Sequence, residues 1–525
     1  MKALTHPVTV AFGLANLYLV SMTEPLIVSG HELVYHMTGS ASVIFIPVLI
    51  YLIVLSGLLA VLLTLVERRD RLRAVVWSGA VFALPWILLR SCMGLMEDTV
   101  PAWLSLVVGL VSLLIFVVIA VRWRSLRPAF EAAQPVAATV FGVFALYGIV
   151  VLFQLIWFGW QARDLNPKPL LHEVRIATGT PPQRIVWIVL DELSYQQVYE
   201  RRFPGLQLPA FDQLAAESTL FTHVVPAGRF TRQVIPSFFT GIPSDEVDVS
   251  GAGLLVAIHD TASGRWDQFQ QHKTVFQDAI DAGYSTGVAG WFNPYCRILP
   301  AVLDHCYWTF SKDNMPAGFS PDKTVGANLV LPFGMLWLDI KSFFAHGARP
   351  PSEERIDIQL HTADYRDLLP AGDSLLSDPS VDFVFLHMPV PHPYGFYDRK
   401  TRTFSTHHTS YIDNLALADL YLAHVRGVLE REGEWDSSVI VVMGDHSWRT
   451  SFVWAGGPGW TAEDAAASHG GEFDPRPAYL VKLANQHVAE RIDKPFAAIR
   501  TRTLFDAMLQ NRIRTPEELA RWARQ

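Results

Sequence analysis

Side chains that commonly bind metal ions lie at the ends of two apolar, strand-like segments. Asp191 follows the run Ile185–Leu190, and Asp445 and His446 follow the β-branched run Val439–Met443 after one glycine. Carboxylate oxygens and imidazole nitrogens together suit zinc or manganese. The sequence therefore predicts a divalent metal site, provided that the fold brings the ends of the two segments together.

A hydroxyl group that could take part in the same chemistry belongs to Thr231. This residue stands just before a short helical run that ends at Thr240 and Gly241. Contact with a metal would lower the pKa of the hydroxyl and orient it for attack on phosphorus. The helix N-terminus would favour the resulting anion. We therefore expect Thr231 to be both a metal ligand and a nucleophile.

Each of these motifs also has an ordinary structural explanation. The stretch Gly444–Ser447 reads GDHS, which occurs in simple turns. Asp191 alone could cap the N-terminus of a helix, which is a common role for aspartate. The order and context of Asp191, Thr231, Asp445 and His446 together favour the chemical interpretation.

Strand and helix patterns alternate after residue 182. Ile185–Leu190, Val381–His387 and Val439–Met443 are typical of buried strands, and Tyr411–Glu430 has the clearest helical periodicity. Such alternation predicts an α/β domain with a mostly parallel sheet that is covered by helices on both faces. In sheets of this kind ligands bind beyond the carboxyl ends of the strands, which is where the candidate residues lie.

The composition divides the chain into an apolar first part and a more polar second part. Half of the 525 residues are apolar, and long runs before about residue 160 carry no charge. The net charge of −8, without a basic patch, argues against a nucleic-acid partner. We expect a transmembrane domain over residues 1–160, a linker over 161–182 and a catalytic domain over 183–525.

Five apolar segments are long enough to cross a bilayer, which takes roughly 20 residues in a helix. A cleaved signal peptide is an alternative for the first segment, although no small-residue cleavage site follows it. The five predicted spans are Val8–Val28, Val43–Val66, Ala74–Met96, Pro101–Val121 and Val136–Trp160.

The charged loops between these segments predict the orientation of the chain. The loops 67–73 and 122–127 are rich in arginine, whereas the loops of the opposite side contain neither lysine nor arginine. The positive-inside rule then places the N-terminus in the cytoplasm and the catalytic domain outside it. In an oxidising compartment Cys296 and Cys306 could form a disulfide, and two unpaired thiols are the alternative.

Four motifs resemble the alkaline phosphatase superfamily, in its sulfatase-like branch. In chain order they are VWIVLDELS, TRQVIPSFFTG, HMPVPHP and VVMGDHS. The resemblance covers residues 184–486. A five-span anchor with the catalytic domain outside is similar to membrane-anchored lipid A phosphoethanolamine transferases and lipoteichoic acid synthases.

The resemblance assigns the metal site and the nucleophile. It places the first metal carboxylate on Asp191, the nucleophile on Thr231, and the Asp-His metal pair on Asp445 and His446. Transferases of this kind usually have Glu in the first position, so Asp191 is a departure toward sulfatases and nucleotide pyrophosphatases. The resemblance implies one tightly bound divalent metal, zinc or manganese, with a second one optional.

Other positions of the motifs separate this chain from true sulfatases. Glu192 stands where sulfatases place a second acid. Sulfatases need Cys or Ser at the nucleophile position, for conversion to formylglycine, and this chain has Thr231 there. Their following Pro and Arg are replaced by Gln233 and Ile235, whereas Pro236 matches the phosphoethanolamine transferases. These departures speak against sulfatase activity and for a phospho-enzyme on threonine.

Further side chains are candidates for binding the phosphoryl group. His392 and His469 match histidines that bind this group or a second metal in the transferases. Arg232 follows the nucleophile and could pair bidentately with a phosphate oxygen. Each of the three could also be an ordinary loop residue. His387 precedes a turn and is expected only to pack.

The function that we expect is that of a metal-dependent phosphotransferase in a bacterial inner membrane, with a multi-pass anchor and a periplasmic or extracellular catalytic domain. It would move a phosphoethanolamine or phosphoglycerol head group from a membrane phospholipid, through threonine, to an envelope glycan or lipid. One alternative is a membrane-anchored phosphodiesterase or related hydrolase, in which water is the acceptor. The other is a catalytically inactive, sulfatase-like partner protein.

Overall fold

The chain folds into two compact units. The first comprises Met1–Val34, Gly39–Leu165 and Asn314–His346, and the second comprises Tyr35–Thr38, Asn166–Asp313 and Gly347–Gln525. The predicted linker, 161–182, falls almost entirely outside the described residues, so the predicted domain boundaries stay a prediction. The computed structural model describes residues 3–28, 30–82, 84–95, 102–162, 183–250, 253–311, 319, 323–334, 353–457 and 459–525.

The described residues up to 162 are mostly helical. An apolar segment in a bilayer must satisfy all its backbone hydrogen bonds internally, and a helix does so. In chain order the helices are α1 (Pro7–Tyr18), α2 (Val20–Val28), α3 (Gly30–Tyr35), α4 (Ser42–Val66), α5 (Asp70–Phe82), α6 (Leu84–Leu95), α7 (Ala102–Val121) and α8 (Trp123–Gln161).

Three helical stretches are long and apolar enough to cross a membrane: Ser42–Val66, Asp70–Leu89 and Trp123–Gln161. Helices α1 and α2 would make a fourth span if they count as one, although they are bent by 72°. The described residues therefore contain three or four candidate spans, and the predicted number of five is not confirmed. Apolar side chains on these stretches, such as those of Ile53 and Leu65, are exposed, as expected for contact with lipid.

The second unit is built on an eight-stranded sheet. The strands that the structure describes are β1 (Ile185–Leu190), β2 (Thr219–Phe221), β3 (Val224–Val225), β4 (Ser244–Val249), β5 (Leu255–Asp260), β6 (Arg265–Gln268), β7 (Thr286–Trp291), β8 (His305–Thr309), β9 (Phe383–Met388), β10 (Gly395–Asp398), β11 (Thr403–Thr409), β12 (Val439–Gly444), β13 (Tyr479–Lys482), β14 (Glu490–Ile492) and β15 (Phe496–Ala497). The strands of the eight-stranded sheet follow in the order β14-β2-β13-β12-β1-β9-β7-β8.

The eight-stranded sheet is mixed. Its five strands from β12 through β1 and β9 to β7 and β8 are parallel, whereas β13 pairs antiparallel with both β12 and β2. Strand β14 is again parallel to β2. The sequence predicts a mostly parallel sheet. Five of the seven strand pairings are parallel and the two pairings of β13 are antiparallel, so the observed sheet is mixed.

Helices cover both faces of this sheet. Successive side chains of a strand point to opposite faces, so Trp187 of β1 packs into one core and Ile188 into the other. The described α-helices after residue 200 are α9 (Pro209–Ala216), α10 (Thr231–Thr240), α11 (Val275–Asp281), α12 (Tyr295–Ile298), α13 (Val325–Asn328, in the first unit), α14 (Glu353–Ser377), α15 (Tyr411–Arg431), α16 (Ala462–Ala467), α17 (Thr501–Leu509) and α18 (Pro516–Ala523). Residues of α10 and α17 contribute to the first core, and residues of α14 and α15 contribute to the second.

Candidate metal centre and nucleophile

The register of the central strands brings two of the predicted carboxylates together. Strands β1 and β12 are parallel, and Leu190 of β1 pairs with Gly444 of β12. Asp191 and Asp445 are the next residues of each strand, and both side chains are fully buried. The amide N–H of Glu192 donates to Asp445 Oδ1 over 3.0 Å. The two chain segments are thus joined at the edge of the sheet where the sequence predicts the site.

A histidine to which the sequence assigned only packing belongs to the same cluster. His387 of β9 pairs with Val189 of β1, and its Nε2 lies 3.6 Å from Asp191 Oδ2. Its other nitrogen, Nδ1, is 2.7 Å from the hydroxyl of Tyr295. The sequence placed His387 near the carboxyl end of a strand, but it did not show that this strand is the neighbour of β1.

Thr231 lies against this cluster, at the first residue of α10. Phe230 before it is extended and holds the N-cap position. The hydroxyl of Thr231 donates to Asp191 Oδ2 over 3.1 Å and lies 3.4 Å from His446 Nε2. The structure therefore brings together all four residues for which the sequence predicts metal binding: Asp191, Thr231, Asp445 and His446.

The donor atoms of this cluster fit a metal ion. Asp191, His387 and Asp445 offer one ligand atom each within 4.8 Å of one another. Asp191 Oδ1, His387 Nε2 and Asp445 Oδ2 are buried without a hydrogen-bond partner among the described residues. A buried polar atom without a partner is costly, and a divalent cation bound between these atoms would satisfy them. A mixture of carboxylate and imidazole ligands is typical of zinc and manganese sites.

The electrostatics of the cluster agree with that interpretation. Burial raises the pKa of Asp191 well above its ordinary value, and the carboxylates of Asp445 and Glu192 raise it further. Burial lowers the pKa of His446 to about 3 and that of His387 to about 4. Both imidazoles are therefore neutral at pH 7, the form in which a ring nitrogen can bind a metal. The crowded carboxylates need a nearby positive charge.

Part of that charge comes from Arg449, which the sequence analysis did not identify. Its backbone N–H donates to Glu192 Oε2 over 3.0 Å, and its Nε donates to Oε1 over 2.7 Å. Its Nη2 also contacts Oε1, and the indole N–H of Trp454 lies 2.9 Å from the same oxygen. The carboxylate of Glu192 lies within reach of Asp191 and His446. However, these four donors occupy it, so we assign Glu192 to the ion pair rather than to the metal.

The predicted phosphoryl-binding residues lie in different places. His392 borders the cluster: its Nε2 is 3.9 Å from Glu192 Oε1, and its ring lies 5.3 Å from that of Trp454. His469 is exposed and is not joined to the cluster by any hydrogen bond or ion pair among the described residues. Arg232 donates from Nη2 to the carbonyl of Val247 over 3.0 Å. The roles predicted for these three residues stay predictions.

The two cysteines of the second unit form a disulfide. Cys296 in α12 and Cys306 in β8 are bonded, with their Cα atoms 5.6 Å apart. The sequence left open a disulfide or two unpaired thiols, and the structure shows the disulfide. The bond closes a short loop beside Tyr295, whose hydroxyl contacts His387. Disulfides of this kind persist mainly outside the cytoplasm.

Comparison with known proteins locates the similarity after residue 182. A family model described as sulfatase matches residues 183–474. A search of the curated proteins found no match.

Solved structures with a similar fold include several enzymes. The phosphonate monoester hydrolase of Agrobacterium radiobacter is 13% identical, with 62% of this chain and 73% of that chain covered and a TM-score of 0.38. The lipoteichoic acid synthase LtaP from Listeria monocytogenes is 14% identical, with 66% and 76% covered and a TM-score of 0.39. Human ectonucleotide pyrophosphatase/phosphodiesterase 5 is 9% identical, with 62% and 95% covered and a TM-score of 0.35. At such low sequence identities and TM-scores, these similarities support no conclusion about the activity of this chain.

Proposed function

The chain belongs to the sulfatase family, and we propose that it is a metal-dependent phosphotransferase that uses Thr231 as its nucleophile. It would take a phosphoethanolamine or phosphoglycerol head group from a membrane phospholipid and pass it to an envelope glycan or lipid. Membership of this family supports an enzyme that acts on phosphoryl or sulfuryl groups. Three apolar helices that could span a membrane support an anchor close to a lipid donor.

The observation that carries this proposal is the position of the Thr231 hydroxyl. It is hydrogen-bonded to Asp191 and lies beside His446, next to three buried ligand atoms that have no hydrogen-bond partner in the part of the chain that the structure describes. Sulfatases use a formylglycine made from Cys or Ser, and a threonine cannot give that aldehyde. A threonine hydroxyl can instead form a phosphate ester, so phosphoryl chemistry suits this residue better than sulfuryl chemistry.

The residues of the site account for each step. Asp191, Asp445 and His446, with His387, would hold a divalent metal, which supplies charge neutralisation at phosphorus when bound. Thr231 Oγ1 would form a bond to phosphorus while the bond from phosphorus to the diacylglycerol oxygen breaks. Asp191 Oδ2 already accepts the hydrogen bond of the hydroxyl, so it is placed to take its proton.

The second half of the reaction reverses the first. A hydroxyl of the acceptor would attack the phosphorus of the threonine ester, and the bond from phosphorus to Thr231 Oγ1 would break. The Thr231 oxygen takes back its proton from Asp191. The proton that the acceptor hydroxyl loses to water balances the one that the diacylglycerol oxygen takes from water as it leaves, so diacylglycerol and the modified acceptor are the products. The N-terminal position of Thr231 in α10 favours the negative charge that passes through this oxygen.

The experiment that tests the proposal is intact mass spectrometry of the purified, metal-loaded protein after incubation with mixed phospholipids. We expect an added mass equal to one phosphoryl head group, and the size of that mass names the donor. Thr231→Val keeps the shape of the side chain without its hydroxyl and should show no adduct. Thr240→Val, at the other end of α10, should still show it.

Two other results would replace the proposal. Released head group without an adduct, in the presence of metal, would identify the hydrolase in which water is the acceptor, which Asp191 in place of Glu also favours. Protein that neither retains metal nor turns over lipid would identify the inactive partner protein. We also propose that the catalytic domain, which carries the disulfide, faces outward from a bacterial inner membrane.

A further inference from the structure

Arg449 is buried beside the nucleophile, and nothing in the proposed reaction yet uses it. We propose that its guanidinium group binds a phosphoryl oxygen of the substrate, as a fixed positive charge next to the metal centre. This inference rests on the proposed phosphoryl chemistry at Thr231. It adds a substrate-binding residue to that site.

The hydrogen bonds of Arg449 leave one nitrogen for a ligand. Its backbone N, Nε and Nη2 all bond to the carboxylate of Glu192. Its Nη1 donates to no acceptor among the described residues. An arginine that is held on one edge and open on the other is pre-organised for a phosphate oxygen, because the guanidinium is planar and rigid.

The position of the guanidinium is set by two aromatic rings. Its central carbon lies 5.2 Å from the ring centre of Phe230 and 5.4 Å from that of Trp454. Phe230 directly precedes Thr231, so Arg449 is fixed against the N-terminus of α10. Trp454 also donates to Glu192 and thereby holds the acceptor of the ion pair. Arg449 itself is only 7% exposed, so its charge acts in a partly dehydrated site.

The buried negative charges of the cluster require a compensating positive charge, and Arg449 supplies one. Asp191, Glu192 and Asp445 are buried carboxylates that would repel an anionic substrate. A divalent metal would offset two of these charges, and Arg449 offsets the third. The guanidinium stays charged, because arginine is not deprotonated in proteins. The cluster can then accept a phosphodiester without net repulsion.

The competing explanation is that Arg449 only neutralises Glu192. Removal of the arginine alone would leave a buried charge unpaired and could unfold the protein. The double variant Glu192→Gln/Arg449→Met removes both charges and separates the two roles. Arg449→Lys keeps the charge but loses the planar fork. The matched control is Arg399→Met/Glu463→Gln. It also removes an arginine–glutamate ion pair, but the neighbours of that pair are Asp413 and Ser410 rather than the metal cluster.

The measurement is the affinity of the metal-loaded, full-length variants for inorganic phosphate, by calorimetry, together with their metal content. A charge-assisted hydrogen bond supports a loss of about tenfold or more in phosphate affinity for the Glu192/Arg449 double variant. We expect a smaller loss for Arg449→Lys and none for the Arg399/Glu463 control. Metal content should be unchanged in all of them.

The outcomes distinguish this inference from the proposed function. Wild-type phosphate affinity in the folded, metal-loaded double variant, or in Arg449→Lys if the double variant does not fold, would show that Arg449 only neutralises Glu192. A wild-type protein that does not bind phosphate would also overturn the inference. If phosphate binding depends on Arg449 but Thr231 forms no adduct with any phospholipid, the inference holds and the transfer reaction fails.

Discussion

Replacement of His387 tests whether the buried cluster binds a metal through a residue that the sequence did not assign. We choose His387→Leu, which keeps the buried volume approximately and removes the ring nitrogen that lies 3.6 Å from Asp191 Oδ2. If this nitrogen contributes to the site, the affinity for metal should fall by at least the 10- to 100-fold typical of lost residues that support a metal ligand, or roughly 1.4–2.7 kcal/mol.

The expected size of the effect on stability follows from linkage. At a metal concentration about 100 times the dissociation constant, bound metal stabilises the folded wild-type protein by about 2.7 kcal/mol. If the affinity falls 100-fold, the same concentration equals the dissociation constant, and the stabilisation falls to about 0.4 kcal/mol. The difference is large enough to measure as a shift in thermal unfolding.

The assay compares the unfolding temperature of each variant with metal and with a chelator, so that each protein is its own reference. This matters because His387→Leu also removes the hydrogen-bond partner of the Tyr295 hydroxyl and changes the stability of the metal-free protein. His424→Leu, at an exposed histidine that pairs with Asp373, is the control. A full metal-dependent shift in His387→Leu would refute a role for His387 in metal binding.

Two further predictions concern the stability of the second unit. Burial raises the pKa of Asp419 to about 6, above the ordinary pKa of aspartate, which is about 4. The stabilisation of the folded protein by the protonated Asp419 side chain is therefore fully present below about pH 4 and is lost as the pH rises through about 6. Asp419→Asn retains an acceptor for the amide N–H of Phe211 and should remove this pH dependence from unfolding curves recorded between pH 4 and 7. A profile unchanged by the substitution would contradict the raised pKa. Conversion of Cys296 and Cys306 to Ala should lower the free energy of unfolding by about 2.5–3 kcal/mol, because the disulfide no longer restricts the conformational entropy of the unfolded chain over a loop of this length. Chemical denaturation checks it, and reducing agent should destabilise the wild-type protein but not the variant.

The sequence predicted those elements whose signals are local. Strand β1 has the predicted bounds, Ile185–Leu190, because its unbroken apolar run is typical of a strand buried on both faces. A short helical run was predicted to follow Thr231 and to end at Thr240 and Gly241. Helix α10 ends there, with Gly241 at φ 81°, but it begins at Thr231 itself, one residue earlier than predicted. Helix α15 begins at Tyr411 as predicted, where Ser410 and Asp413 form a capping box.

The membrane part shows where local signals fall short. Hydropathy predicted five spans, but three helical stretches meet the length and apolarity of a span, or four if α1 and α2 count as one. Helix α1 ends at Tyr18, and the chain turns by 72° before α2 continues. An average over an apolar segment cannot reveal such a bend, because it counts composition and not direction.

What the sequence by itself determined is the set of chemical groups: two strand-end aspartates, the histidine that follows the second of them and a threonine at a helix N-terminus, each recognisable from its neighbours in the chain. What only the tertiary structure decided is which other groups join them. His387 lies beside Asp191 because β9 is the neighbour of β1. Arg449 forms an ion pair with Glu192 although the two residues are 257 positions apart in the sequence. Strand order and long-range ion pairs depend on the packing of the whole sheet, and no stretch of sequence records that packing.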